Sequence, residues 1–307
     1  MSVMRPFFLA CSQSSWLRKR ATRLWFVRRT VSRFMPGETA DAALAAAAEI
    51  KKQSLGAVLT HLGENISDRA EAEGVTQHYL EVLNSIQSTA LGAEVSVKLT
   101  QLGLDLDPEF CGRNLEAIIQ RAGHASMVWI DMEGSRYVDA TLEIYRSARR
   151  KFPNVGVCVQ AYLRRTAADL AALLPMGASI RLVKGAYNEP PDRAFSRKQA
   201  VDENYFALAK ALLSQNVRAA NVRAAMATHD RKLIRRIIQF TEASGLRKDG
   251  IEFQMLYGIQ RGEQARLAQA GYRVRVLISY GDYWFPWFMR RLAERPANAL
   301  FVIRNIV

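Results

Sequence analysis

Two adjacent arginines near the C-terminus, Arg290 and Arg291, lie in the apolar stretch Trp287-Phe-Met-Arg-Arg-Leu-Ala-Glu294. Neighbouring residues on a helix point about 100° apart, so a solvated face has little use for both. Glu294 stands i+4 from Arg290 and i+3 from Arg291, within side-chain reach of each. Two readings fit: a salt-bridged surface helix, or a guanidinium clamp for a carboxylate that Glu294 holds in place. Further polar residues stand where apolar runs end: Lys98, Asp131, Gln160, Arg181, Lys184, His229 and Tyr257. A single such residue is ordinary loop entry. Six or seven brought to one place make an active site.

The elements that must position them are periodic. Eight short β-type runs recur: AVLTHL (57–62), EVSVKL (94–99), MVWIDME (127–133), VGVCVQAY (155–162), SIRLVKG (179–185), RAAMATHD (223–230), IEFQMLY (251–257) and RVRVLISYG (273–281). Between them amphipathic patterns predict helices such as 108–122, 138–151, 166–174, 196–215, 230–244 and 260–270. An Ala-rich helix over 37–55, started by Thr39 with Asp41 in its first turn, precedes the first strand. Strand–helix alternation implies a parallel sheet, and eight units favour a closed (βα)8 barrel of the TIM type with additional N-terminal helices. No GxGxxG follows the first strand, which argues against a dinucleotide-binding doubly wound sheet. Barrels of this type place their chemistry where strands end and loops begin. That is where the polar residues above fall.

The formal charge is +14, unevenly spread. Residues 1–35 hold eight Arg or Lys and no acid, leaving 35 basic and 29 acidic residues in the rest. Within 16–34 the apolar residues Leu17, Ala21, Leu24, Val27, Val31 and Phe34 recur at spacings of three and four. This basic amphipathic helix suits either an anionic lipid surface or packing on the barrel. Residues 1–36 are accordingly read as a basic segment and 37–307 as the barrel domain. No stretch is long enough to span a bilayer, and Pro6–Cys11 is too brief for a secretory signal. The expected location is the cytoplasm, with peripheral contact at the inner face of the membrane open to the basic segment. Cys11, Cys111 and Cys158 lie far apart without CxxC, and no histidine pair has HxxxH spacing, so neither a disulfide framework nor a metal is expected. No nucleic-acid-binding pattern accompanies the charge.

The stretches SVKLTQLGL (96–104), WIDME (129–133), VCVQAYLRRT (157–166), RLVKGAY (181–187), ATHD (227–230), EFQMLYGI (252–259) and FMRRLAERPAN (288–298) together resemble proline dehydrogenase, in that family's order. The resemblance covers roughly residue 35 to the end. It implies a distorted barrel that binds FAD, oxidises L-proline to pyrroline-5-carboxylate and passes electrons to a membrane quinone. It also implies a monofunctional enzyme, with a separate pyrroline-5-carboxylate dehydrogenase downstream.

By that resemblance Arg290 and Arg291 bind the substrate carboxylate, Glu294 orients them, and Lys98 completes their ion-pair network. Asp131 lies near substrate and flavin, and Arg181 contacts the flavin's reactive nitrogen. Met132, Gln160, Lys184, Gly185, Ala186, Tyr187, Thr228 and His229 hold the cofactor. The physics agrees in kind: reduced flavin accumulates negative charge that cations and N–H dipoles stabilise. Glycine permits close backbone approach to a pyrophosphate, and a helix start offers N–H groups to phosphate.

Plainer readings stand beside these. Lys98 fits a solvated loop, Asp131 a helix cap, Arg181 a structural ion pair, and Gln160 a strand-end hydrogen bond. His229 fits a satisfied core histidine, and Met132, Tyr187 and Tyr257 fit packing. Two positions depart from the family: Trp287 and Leu277 stand where tyrosines usually line the proline pocket. The pocket is thus expected to be more apolar, with altered discrimination among proline analogues. Two competing functions remain: a flavin-free lyase or aldolase using Lys98 or Lys184 as an imine-forming nucleophile, and a silent membrane-associated barrel.

Overall fold

Four helix starts in this chain are set by short polar side chains that take up the first free N–H groups. The computed structural model describes residues 31–63, 66–214, 222–285 and 288. Thr39 accepts from the Ala42 amide and begins α1 (Ala40–Lys51). After β1 (Gly56–His61), Asp68 caps α2 (Arg69–Ser88), whose Glu71 reaches back to the Ser67 amide. β2 (Glu94–Val97) leads through a 3-10 turn to α3 (Pro108–Ala122), capped by Asp107 with Pro108 in its first turn. Then follow β3 (Val128–Ile130), α4 (Val138–Lys151), β4 (Val155–Gln160), α5 (Thr166–Leu173) and β5 (Ser179–Val183). The chain continues through α6 (Lys198–Leu212), β6 (Arg223–Ala227), α7 (Arg231–Ala243), β7 (Glu252–Leu256), α8 (Arg261–Gln269) and β8 (Arg273–Tyr280).

All eight expected strands are present, and each pairs in parallel with the next. The barrel closes where β1 meets β8, in register from Gly56↔Arg275 to His61↔Tyr280. All strands but β1 are shorter than the runs that mark them, because the ends of the runs belong to the loops. β2 ends at Val97 because Lys98 opens the 3-10 turn, and β3 ends at Ile130, before Asp131. Helices α2 to α8 follow β1 to β7. The seam between β8 and β1 is covered by α1, which packs on both strands. The outer ring is therefore completed from the N-terminal side.

The main apolar core lies between strands and helices, where Val95, Val97, Ile130, Val157, Leu182 and Phe253 meet buried helix residues such as Leu83 and Leu115. Each fully buried aliphatic side chain there contributes about 1.5–3 kcal/mol relative to exposure. The barrel interior differs. Its apolar part is a small cluster of Val58, Trp129 and Ala225, with Met127 and Leu277 packed against it. Below that cluster, at the N-terminal end, the first residues of β2, β6 and β7 form an ionic group with Arg275. Arg223 bonds Glu94 at 2.7 Å and Glu252 at 2.8 Å, and Arg275 reaches Glu94 at 3.2 Å and Glu252 at 3.7 Å. Gly56 makes room for this, because a Cβ there would sit 2.7–2.9 Å from Arg275 side-chain atoms.

Of the basic segment, only residues 31–36 fall within the described part. Val31 and Met35 are buried, and the Arg33 carbonyl lies against Gly258 in the β7–α8 loop. That end of the segment packs on the barrel; residues 1–30 lie outside the described residues.

Candidate active site

Side chains on one strand alternate between faces, so residues two apart share the barrel interior. Ser96 on β2, Asp131 just beyond β3 and Arg181 on β5 converge there. Arg181 is 3% exposed. Its Nη1 donates to Asp131 Oδ1 at 2.9 Å and to Ser96 Oγ at 2.8 Å. Ser96 Oγ in turn donates to the same carboxylate oxygen at 2.7 Å. Asp131 is therefore an ion-pair partner and not a helix cap. Arg181 Nε and Nη2 are buried and have no hydrogen-bond partner among the described residues. The guanidinium lies over the Trp129 ring, 4.7 Å from its centroid.

Beside this pair, Gln160 ends β4. Its Nε2 donates to the Met132 carbonyl at 3.1 Å, and its buried Oε1 has no partner among the described residues. Met132 is buried as well. Lys98 follows β2 and carries no side-chain hydrogen bond among the described residues; its charge acts on both His61 and Glu133. Burial raises the Glu133 carboxyl, although the Thr100 hydroxyl and amide both donate to it. Leu277 lies on the interior cluster with Trp129. Arg290, Arg291, Glu294 and Trp287 lie outside the described residues.

The loop after β5 is tied down differently. Lys184 Nζ reaches Asp202 at 2.5 Å and Asp230 at 2.8 Å, and Lys198 contacts the same two carboxylates. Burial opposes ionisation of Asp230, but Lys184 and Lys198 outweigh it and hold the carboxyl well below the usual range. Asp230 also caps α7, accepting from the Lys232 and Leu233 amides. The first N–H groups of that helix are thus already engaged by a side chain. Gly185 has φ +107, and a Cβ there would come within 2.1 Å of the Tyr162 ring. Only glycine fits that close approach. Ala186 is exposed and Tyr187 half-buried. Thr228 is buried and accepts from the Asp230 amide at 3.1 Å. His229 Nε2 accepts from the Leu256 amide at 2.8 Å, which leaves the ring proton on Nδ1. Tyr257 carries the Arg261 guanidinium over its ring.

Three residues at or below the mouth were not singled out from the sequence. Ser96 and Trp129 lie two residues before Lys98 and Asp131, so period-two alternation places them on the same face. His61 ends β1 and stacks on His78, with ring centroids 4.5 Å apart. Its imidazole is lowered from 6.5 to about 4 by burial and by His78, with Asp282 opposing and Lys98 adding to the shift. His78 shares a 2.8 Å hydrogen bond with the Tyr280 hydroxyl. An apolar run ending in histidine offers no local sign of that stack.

A barrel mouth that holds a desolvated guanidinium beside a carboxylate suits chemistry in which negative charge develops. A family model described as proline dehydrogenase matches residues 43–304. The chain belongs to the proline dehydrogenase family. It is 37% identical to proline dehydrogenase 2 of Bacillus subtilis subsp. natto over 308 residues, covering 100% of this chain and 99% of that one. Proline dehydrogenase 1 of the Bacillus subtilis strain 168 is 38% identical, with 99% of each chain covered. The proline dehydrogenase of Deinococcus radiodurans is 37% identical over 90% of this chain and 89% of its own. Among solved structures, proline utilization A from Bdellovibrio bacteriovorus, inactivated by N-propargylglycine, has the same fold with a TM-score of 0.81 at 24% identity. The match covers 95% of this chain and 36% of that longer protein. This proline dehydrogenase family member is thus an oxidoreductase that oxidises proline, within a generally flavin-dependent family of proline catabolism. Among the described residues no helix is long and apolar enough to cross a membrane.

Proposed function

We propose that the barrel mouth binds FAD and L-proline together and oxidises the latter to pyrroline-5-carboxylate. The observation that carries this reading is the set of buried polar atoms left open at one place. Two N–H groups of Arg181 and the Oε1 of Gln160 lack protein partners among the described residues. Buried groups of this kind are normally satisfied, and a flavin offers both acceptors and a donor to satisfy them. When bound, FAD supplies the acceptor for the hydride that leaves proline. Arg181 then presents fixed positive charge, and Asp131 with Ser96 keeps that charge in place. Met132, Gln160, Lys184, Gly185, Ala186, Tyr187, Thr228 and His229 are the cofactor-holding residues in this reading. For Lys184 to meet a phosphate, it must share its ammonium with Asp202 and Asp230.

Lys98 with Arg290 and Arg291 holds the substrate carboxylate, Glu294 orients the arginines, and Leu277 with Trp287 faces the proline ring. Electrons leave to a membrane quinone, the basic N-terminal segment assists contact with the inner membrane face, and the product passes to a separate pyrroline-5-carboxylate dehydrogenase in the cytoplasm. The aldolase reading keeps one of its two candidates: the Lys184 ammonium is engaged by two carboxylates, whereas Lys98 has no side-chain hydrogen bond among the described residues and in the present reading holds the substrate carboxylate. A visible spectrum of the purified protein tests the proposal. A flavin band that bleaches on anaerobic addition of L-proline is expected. Colourless protein that stays inactive when supplied with FAD overturns it.

A further inference from the structure

Both hydrogen bonds that hold Arg181 fall on a single nitrogen, Nη1. The N–H bonds of Nη1 lie in the guanidinium plane, so these contacts hold one edge of the group, while the edge of Nε and Nη2 has no partner among the described residues. The support under the unheld edge comes from the indole of Trp129, which lies beneath the guanidinium at 4.7 Å. That indole is itself immobilised from three sides. It is 0% exposed. Its Nε1 donates to Glu94 Oε2 at 2.7 Å, and the Arg223 guanidinium lies over the same ring at 5.1 Å. Its register partner on β4 is Gly156, where a Cβ would come within 2.6 Å of two ring carbons. Glycine at that position therefore provides the space the ring occupies.

We infer that Trp129 is the positioning residue for Arg181: it supports the free guanidinium edge, and so its direction, and Glu94 sets the ring. The N-terminal ionic group and the barrel mouth are then linked through one side chain. Trp129 touches neither substrate nor cofactor in this account; it acts through Arg181. The inference rests on the reading that Arg181 faces FAD. Cation–π contact in a desolvated site is strong enough to shift an equilibrium by roughly tenfold or more, which is the scale of effect to look for.

The test uses the full-length, flavin-loaded enzyme and the variants Trp129→Leu, Trp129→Met and Trp129→Phe. The readouts are flavin midpoint potential, the rate of anaerobic flavin reduction by L-proline, the Kd of a non-oxidisable carboxylate analogue, and Tm. Loss of the ring in the Leu and Met variants is expected to slow reduction about tenfold and to move the potential negative, with the analogue Kd nearly unchanged. The Phe variant keeps a flat ring without the Nε1 tether and is expected to fall between those and the wild type. A folded Leu or Met variant with wild-type potential and reduction rate overturns the inference. A Phe variant no better than Leu at equal Tm also overturns it, since volume alone then explains the effect. If the apolar variants do not fold, Trp129→Phe decides: wild-type rate and potential there remove any role for the Glu94 tether. Wild-type protein without flavin would instead refute the underlying reading, so the two failures are separable.

Discussion

The two ends of the barrel interior are built from the same residue types and finished differently. At the N-terminal end Arg223 and Arg275 each bridge Glu94 and Glu252, so two cations meet two anions and every charge is shared. Trp129 and Gln254 add neutral donors to the two carboxylates, at 2.7 Å each. At the mouth Arg181 spends one nitrogen on Asp131 and Ser96, and its other two are buried with no partner among the described residues. Asp131 keeps 22% of its side chain exposed, and Gln160 and His61 each leave a buried atom without a partner among the described residues. A closed ionic group holds strands together, whereas an open one is ready to receive a ligand. Gln254 Oε1 has no partner among the described residues at the closed end too, so it is the pairing of the charged groups that separates scaffold from site in this barrel.

That contrast can be broken by experiment. The largest effect is expected at the closed end. Glu252→Leu removes a carboxylate that two arginines share, and breaking a buried pair in this way costs about 3–5 kcal/mol of stability. Chemical denaturation should show it, with kcat/KM of the folded protein falling far less than on loss of Arg181, since Glu94 still holds both Arg223 and the Trp129 ring. The reverse pattern is expected at the open end. Arg181→Met should lower kcat/KM by about two to three orders of magnitude while moving the denaturation midpoint much less, because Asp131 keeps Ser96 and the substitution also removes two buried N–H groups without partners among the described residues. Equal stability losses for the two variants would erase the distinction.

A smaller effect concerns pH. The His61 imidazole falls from 6.5 to about 4 on folding, so the unfolded chain takes up a proton first as pH drops. The stability tied to the neutral ring is complete above pH 6.5 and is lost as pH falls toward 4. Over that window the loss is on the order of 2 kcal/mol, allowing for partial exposure of the ring. His61→Leu should flatten the dependence of Tm on pH in part, since burial lowers His78 as well. An unchanged slope would place the titration elsewhere. The smallest effect is sought at Leu277, which packs on the Trp129 cluster. Leu277→Tyr should alter the kcat/KM ratios among ring-modified prolines by roughly 1 kcal/mol. Ratios that stay constant would remove Leu277 from the pocket.

Much of the frame is legible in the amino-acid sequence. All eight strands, the limits of α3 and α4, and the Thr39 cap of α1 follow from alternation, periodicity and capping chemistry, which are local properties. Asp131 and Gln160 could be named as candidates because each breaks an apolar run at a strand end, and Arg181 because it interrupts one, although it stands in the middle of β5 and not at its end. Their partners could not. Ser96 carries no charge, and Trp129 reads as one more apolar residue in VWI, so neither stands out until the strands lie side by side. The carboxylates that hold Lys184 come from α6 and from the loop before α7, and nothing in RLVKGAY points to them.

Spacing and residue type along the chain are thus enough to define the elements, their order and the residues able to do chemistry at or near their ends. Tertiary structure alone decided which of those residues meet. Arg223 and Glu94 are 129 positions apart, and their bond exists because closing eight strands brings β2 and β6 across one narrow interior. The same closure leaves a seam between β8 and β1 that α1 fills from the other end of the chain. Local patterns repeat within a few residues and can be read along the chain, but pairing across a barrel depends on register and shear, which are properties of the whole sheet.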